Sequence, residues 1–270
     1  MRSRSPLAFV AWYCLSLSSL PLLPVSQLTH LSLHDDAPRI LPILRLATSL
    51  VALKIQGPLR QSFQLGHSER IHLPLLRELH TDGAYVGYIT APQLSSFYAI
   101  SSGTATQLLP LIQRSSCSLT SLHFIPDLPA ADSHSILAKT SNLTHLDVNV
   151  VYLQVWQELR DLVEVNSLVS RLRITTCTSV PVLLPNLRTL RLNIAGSKTL
   201  DQTAVVDMVE SRWHIPDGTP CARLKSLTLA YCKSWGEESL SQLAVFEQEG
   251  LEVNIMGQGC LGRKCPGFEW

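Results

Sequence analysis

Histidine is the residue type in this chain best suited to acid–base or metal chemistry. Nine histidines occur among 270 residues, and imidazole is both a general base near neutral pH and a common metal ligand. His30 and His34 are four residues apart, but they fall on a predicted strand and its exit rather than on one helical face. His30 and His145 recur inside the same phrase, "LTHL". This recurrence favours a repeated, exposed structural position over a catalytic or metal-binding role.

Other reactive constellations are also missing from the sequence. It contains no metalloprotease helix motif, no nucleophile elbow, no phosphate-binding loop and no dinucleotide fingerprint. Glu237 and Glu238 begin a predicted helix, where acids suit the helix dipole. The "PDG" at 216–218 has turn chemistry, and Trp156 and Trp213 are interpreted as packing residues. We therefore predict that the protein is not an enzyme and has no catalytic, metal or cofactor-binding residues.

A polar row with aromatic and imidazole rings is the more informative pattern. Equivalent outward positions of successive predicted strands are occupied by Lys54, His80, Tyr98, His123, Asp147, Arg173 and Arg191, and the outward row before them includes His145 and Arg171. Arg and Tyr are enriched at binding hot spots. We expect a protein-binding face, with an anionic contact near Arg171, Arg173 and Arg191, which the pattern places on consecutive copies. The alternative is a solvated sheet face, which is polar whether or not it binds anything.

The elements that position this row come from an internal repeat. The phrase Leu-x-x-Leu-x-Leu, or a close relative, recurs along the chain. Copies start at Leu28, Leu50, Leu76, Leu94, Leu119, Leu143, Val169, Leu187 and Leu224, and a degenerate copy starts at Leu251. Most starts are 18 to 26 residues apart. Alternating apolar residues predict strands with one buried face, and a single strand of this kind needs stacked neighbours to bury it.

Helical periodicity fills several of the segments between copies. "PRILPILRLA", "YLQVWQELRDLVEV" and "LDQTAVVDMVESRW" have apolar stripes, and "SWGEESLSQLAVFEQEG" has capping-box spacing between Ser234 and Glu237 and a closing Gly250. "HIPDGTPCA" is an inserted loop that lengthens the step from Leu187 to Leu224 to 37 residues. The segment between Leu76 and Leu94 is too short for a helix and is predicted to cross over as a loop.

Strand followed by helix at this spacing is typical of leucine-rich repeats. The predicted fold class is α/β, a leucine-rich-repeat solenoid with a curved parallel sheet on the concave face, helices and loops on the convex face, and about nine to ten irregular repeats. The repeat domain spans residues 28–256. Residues 1–27 form an apolar segment, either signal-like or the remnant of a first repeat, and residues 257–270 form a tail that we expect to be disordered.

Hydrophobic content, net charge and cysteine spacing limit which partners and which cellular compartment we expect. The chain is 46% hydrophobic and has a formal charge of +1, so we predict a real core and no nucleic-acid partner. Seven irregularly spaced Cys without a C-x-x-C predict reduced thiols and a cytoplasmic or nuclear location. The basic start and the apolar run over residues 7–17 leave a secreted repeat protein as an alternative. Ser at 16, 18 and 19 and Pro at 21 and 24, within and just after this run, argue against a stable membrane span.

Four segments near the C-terminus follow one another in order: the helix end "VESRW", a polar insert, "LKSLTL" and the ending "GEESLSQLAVFEQEGLEVNI". This combination resembles the C-terminal leucine-rich-repeat region of F-box proteins, which are expanded in basidiomycete fungi, over about residues 28–256. The resemblance implies substrate recognition for an SCF-type ubiquitin ligase. Because the repeats begin by residue 28, we expect too little room for an F-box within residues 1–27, and contact with the ligase adaptor is expected only if an F-box lies upstream. A truncated gene product without independent function is a further alternative.

Overall fold

Our computed structural model describes residues 10–11, 24–34, 37–56, 70–81, 85–99, 104–125, 130–150, 158–175, 181–194, 200–231 and 235–256. The chain divides into two compact units, Met1–Leu128 and Pro129–Trp270, which we call unit 1 and unit 2. Each unit combines parallel strands with α-helices, which confirms the predicted α/β class. The predicted tail over residues 257–270 lies outside the described residues, and so does Trp156.

Unit 1 is built on parallel strands. They are β1 (Val10–Ala11), β2 (His30–His34), β3 (Ala52–Gln56), β4 (Ile71–His72), β5 (Glu78–Thr81), β6 (Ile89–Thr90), β7 (Ser96–Ala99) and β8 (Ser121–Phe124). The main sheet has the order β1-β2-β3-β5-β7-β8, and β4 pairs separately with β6. The helices are α1 (Ala37–Leu46) and α2 (Thr104–Ser115). Short 3-10 helices span Val25–Gln27 and Val86–Tyr88.

Unit 2 alternates helix and strand. Its helices are α3 (Ala130–Lys139), α4 (Glu158–Leu172), α5 (Gln202–Trp213) and α6 (Glu237–Gln248). Its strands are β9 (His145–Val150), β10 (Thr189–Ile194), β11 (Ser226–Tyr231) and β12 (Glu252–Met256), and they pair in parallel in that order. Consecutive helices contact one another, as expected for crossovers that lie side by side.

The leucine phrase explains the core of each unit. In nine of the ten copies the strand begins one or two residues after the first apolar residue of the phrase. The apolar strand residues meet in register, as in the row Leu31, Leu53, Leu79, Phe97 and Leu122, and every member of this row is at most 3% exposed. Each such burial stabilises the fold by about 1.5–3 kcal/mol relative to an exposed side chain.

The copy starting at Val169 is the exception, and its prediction as a strand is wrong. Residues 169–172 form the last turn of α4, and β9 pairs directly with β10. The physical reason is periodicity. Val165, Leu168, Val169 and Leu172 recur at helical spacing and are all buried. A helical stripe that continues past the phrase therefore determines its structure.

The predicted crossover helices are otherwise confirmed where they are described. "PRILPILRLA" lies in α1, and the apolar face of "LDQTAVVDMVESRW" is buried in α5. Gly250 has a φ of 105° just after α6, as expected of a helix-terminating glycine. The N-cap of α6 is Gly236 rather than the predicted Ser234, which lies outside the described residues. Between β5 and β7 the described residues contain a 3-10 turn and β6 in place of a plain loop.

In each unit, neighbouring Arg and Ser residues at the C-terminal end of one helix form hydrogen bonds with the main chain of a segment outside that helix. In α2, Arg114 donates to the carbonyls of Val86 and Ile89, and Ser115 Oγ accepts from Ala91 N–H at 3.0 Å. In α5, Ser211 Oγ accepts from Ile174 N–H, also at 3.0 Å. These bonds satisfy main-chain groups in and beside the 3-10 turn and β6 and after α4.

Arg212 is the counterpart of Arg114 in α5, and it is fully buried. It donates to the carbonyls of Leu172, Leu183 and Leu184 at 2.6, 2.6 and 3.1 Å. Burial lowers the pKa of Arg212 to about 10, so the guanidinium remains charged at neutral pH. Its charge lies at the C-terminus of α4, where a cation complements the helix dipole.

Candidate functional site

The outward row of unit 1 runs across the strands in register. Lys54 of β3 lies opposite His80 of β5, His80 lies opposite Tyr98 of β7, and Tyr98 lies opposite His123 of β8. Because alternate residues of a strand point to opposite faces, all of them share the face away from the buried leucines. We call Lys54, His80, Tyr98 and His123 the unit 1 face.

Three rings of this face form a stacked column. The His80 and Tyr98 rings have centroids 4.9 Å apart with an interplanar angle of 13°. The Tyr98 and His123 rings have centroids 3.7 Å apart at 6°. Tyr98 therefore contacts an imidazole on each side, and His80 Nε2 also lies 2.8 Å from Glu78 Oε1. Stacking of the three rings and the contact of His80 with Glu78 limit the rotamers that these side chains can adopt.

The prediction that His80 and His123 are exposed is wrong. Each is only 6% exposed, because the stacked rings cover one another, whereas Tyr98 keeps intermediate exposure. The partly exposed side chains of this face are therefore Lys54 and Tyr98, and the two imidazoles pack against the tyrosine from either side.

Unit 2 has an equivalent outward row. Asp147 of β9, Arg191 of β10, Thr228 of β11 and Asn254 of β12 lie in register, and we call them the unit 2 face. Arg191 Nε lies 3.9 Å from Asp147 Oδ2, with side-chain exposures of 19% and 21%. The opposite charges partly neutralise each other, so this row is polar rather than basic.

The expected three-arginine patch does not form on this face. Arg171 lies in the last turn of α4, and Arg173 follows that helix and pairs with Asp207 of α5 at 3.0 Å. Arg191 alone occupies a strand. The prediction of this patch is wrong because it required the copy starting at Val169 to be a strand. The anionic contact was predicted from the patch, so it loses its support.

The two "LTHL" phrases confirm that equivalent positions have equivalent geometry. Thr29 Oγ1 and His30 Nδ1 are 3.0 Å apart, and Thr144 Oγ1 and His145 Nδ1 are 2.7 Å apart. Each histidine opens its strand. His145 is exposed and His30 is partly exposed, as predicted for a repeated outward position.

Two amide side chains were missed from the sequence. Asn149 and Asn193 lie opposite each other on β9 and β10, one outward position beyond Asp147 and Arg191. Within the described structure the Oδ1 of each is buried without a hydrogen-bond partner. A buried acceptor without a donor is costly, and here two such acceptors lie side by side on neighbouring strands. A sequence pattern could have identified them, because Asn149 ends the phrase "LDVN" and Asn193 ends the equivalent phrase "LRLN".

The remaining candidates have structural roles. The 216–218 turn is confirmed by the hydrogen bond from Thr219 N–H to the Pro216 carbonyl and by a φ of 82° at Gly218. Trp213 is buried, and Glu237 and Glu238 occupy the first turn of α6. Among the described residues, no group of three or more His, Cys, Asp or Glu side chains could hold a metal ion.

Comparison with protein-family models and with curated proteins finds no match for this chain. Within the part of the chain that the structure describes, no helix is both long and apolar enough to cross a membrane. Function therefore has to be inferred from the sheet faces themselves.

Proposed function

We propose that this protein is a non-catalytic protein-interaction module of the leucine-rich-repeat class. The repeat assignment is supported by the parallel pairing of the strands and by the leucine phrases that precede nine of them. A curved solenoid is the arrangement in which such strands and crossovers usually stack. The polar strand face is then the surface that receives a partner.

The observation that carries the proposal is the ordered polar face of each unit. On the unit 1 face Tyr98 is held between His80 and His123, and on the unit 2 face Arg191 lies beside Asp147. These contacts run from strand to strand, so the side chains are already ordered. Pre-ordered side chains lose less entropy on binding, which favours protein recognition.

We further propose, on the sequence resemblance, that the partner is a substrate protein of an SCF-type ubiquitin ligase. Contact with the ligase adaptor would require an F-box in addition to the repeats. We place the protein in the cytoplasm or nucleus, because Cys117 and Cys221 are free thiols, as expected in a reducing compartment.

Site-specific photo-crosslinking in cells tests the binding face. A photoreactive amino acid at Lys54 or Thr228 samples the two faces, and the same residue at exposed Gln113 of α2 or Gln242 of α6 is the matched control. We expect a discrete protein adduct from the strand positions that the helix positions do not give. Adducts from the helix positions alone would contradict the proposal.

A further inference from the structure

Among the described residues, β12 is the end strand of its sheet. This strand pairs with β11 on one side, and no described strand lies on its other side. Glu252 N–H donates to the Lys225 carbonyl at 3.0 Å, so the backbone groups of Glu252 point toward β11. Because these groups alternate along a strand, those of Val253 and Ile255 point outward.

Nothing in the described sequence of this edge blocks pairing. Proteins usually protect an exposed edge with proline, charged side chains or a bulge, whereas β12 reads Glu-Val-Asn-Ile-Met and has a single charge at its first residue. Apolar side chains also concentrate here. Of the five exposed large hydrophobic residues in the described chain, Leu240, Val245 and Ile255 lie on α6 or β12, with exposures of 37%, 50% and 41%. The last element of a repeat array normally presents a polar outer side.

We propose that two copies of this chain associate through their β12 strands, antiparallel and edge to edge about a two-fold axis. The strand is self-complementary in the register that places Asn254 opposite Asn254 of the second copy. In that register Val253 faces Ile255 of the second copy, and Glu252 faces the uncharged Met256. Val253 and Ile255, whose backbone groups point away from β11, then form hydrogen-bonded pairs with the second copy. The two pairs supply about four main-chain hydrogen bonds.

Side-chain chemistry favours the same register. The Val253–Ile255 pairs lie on the apolar side of the sheet, in line with Leu227 and Leu229 of β11. Apolar cross-strand pairs stabilise antiparallel strands, and no like charges face each other. If the two β12 strands were shifted by one residue, backbone groups that point away from β11 would face groups that point toward it. Apolar side chains would also face polar ones. This self-association uses the backbone edge of β12, and Asn254 is its one residue that also belongs to the unit 2 face.

Sedimentation equilibrium on the full chain tests the association. The wild-type protein should have a mass near twice the 29.9 kDa of one chain, and Ile255→Lys should reduce it to that of a monomer. Leu46→Lys, at an exposed leucine of α1 in unit 1, should remain dimeric. A monomeric wild type, for example because residues beyond 256 cover the edge, would overturn the proposal. So would a dimer that survives Ile255→Lys.

A disulfide trap tests the register without a disruptive charge. Directly opposed residues of a non-hydrogen-bonded pair have Cα atoms about 4.5 Å apart, within the range for a disulfide. Asn254→Cys should therefore form a covalent dimer on mild oxidation, well above the level from the native cysteines of the wild type. Glu252→Cys, which faces Met256 of the second copy, should not exceed that level. Equal trapping by both variants, or by neither, would contradict the proposed register.

Discussion

Trp213 and Glu249, 36 residues apart, are joined by a hydrogen bond of 2.5 Å from the indole Nε1 to the carboxylate Oε2. Arg223 lies 3.4 Å above the Trp213 ring, and His214 Nε2 is 3.2 Å from the same carboxylate oxygen. This cluster joins the end of α5 to the end of α6. The "VESRW" and "QEGLEV" segments, which carry the family resemblance, are therefore in direct contact.

Replacing Glu249 should lower the stability of the protein by an amount that depends on pH in a defined direction. The hydrogen bond from Trp213, followed by His214, lowers the pKa of Glu249 below its usual 4.5. A lowered carboxyl pKa stabilises the fold above the unfolded-state pKa, and this contribution is lost as the pH falls through the folded-state value. Glu249→Gln should lower the Tm at pH 7, and the difference from wild type should shrink below about pH 4.5. Glu247→Gln, in the same helical turn, is the control, and curves that stay parallel for Glu249→Gln would exclude this role.

Replacing Arg212 should be among the most destabilising single changes in unit 2. Arg212→Met leaves the carbonyls of Leu172, Leu183 and Leu184 without their donor. Each buried carbonyl left unpaired costs about 1–3 kcal/mol, so the variant should lose several kcal/mol of unfolding free energy. Arg173→Met is the matched control, because its pair with Asp207 is exposed and should contribute at most about 1 kcal/mol. Urea denaturation measures both, and equal losses would contradict the buried role.

The ring column of unit 1 should protect two histidines from chemical modification. With His80 and His123 at 6% exposure and His145 exposed, diethylpyrocarbonate should modify His145 first. Tyr98→Ser should accelerate modification of His80 and His123 while leaving His145 unchanged. Loss of two ring contacts should also cost about 1–3 kcal/mol of unfolding free energy. Mass spectrometry of peptides follows the reaction, and equal rates at all three sites in the wild type would argue against the column.

Substitutions at Ser170 distinguish helix from strand around Val169. Ser170 is exposed within α4, and its Oγ donates to the Asn166 carbonyl one turn earlier. In a helix, Ser170→Ala should be about 1 kcal/mol more stable than Ser170→Gly. NMR Cα shifts over residues 166–172 should be helical. Cα shifts typical of extended backbone would contradict the helix and support the strand that the leucine phrase predicted.

Short-range sequence periodicity predicted most of the fold. Strands such as β3 and β11 follow from alternation after a leucine, and α1, α5 and α6 follow from apolar stripes and a closing glycine. The Val169 copy failed because a six-residue phrase cannot distinguish a strand from a helix whose stripe continues through it. The wider window over Val165, Leu168 and Leu172 carried the correct signal.

The side-chain contacts of the site were much less predictable. Alternation placed His80, Tyr98 and His123 on one face, but their stacking, and hence the burial of both imidazoles, depends on three strands meeting in register. Arg212 could have been found, because it continues the spacing of Val205 and Val209 and so falls on the buried face of α5. Its carbonyl acceptors lie 28 to 40 residues away in sequence, and no local pattern identifies them.

The most direct test of the central claim is the Kd of the partner captured by crosslinking, measured for paired surface variants by isothermal titration calorimetry. Thr228→Arg places a bulky charge on the unit 2 face, and Gln242→Arg places the same side chain on the exposed surface of α6. We predict that Thr228→Arg raises the Kd by at least about tenfold, or 1.4 kcal/mol, with Gln242→Arg unchanged. Weaker binding by Gln242→Arg together with an unchanged Kd for Thr228→Arg would contradict recognition by the strand face.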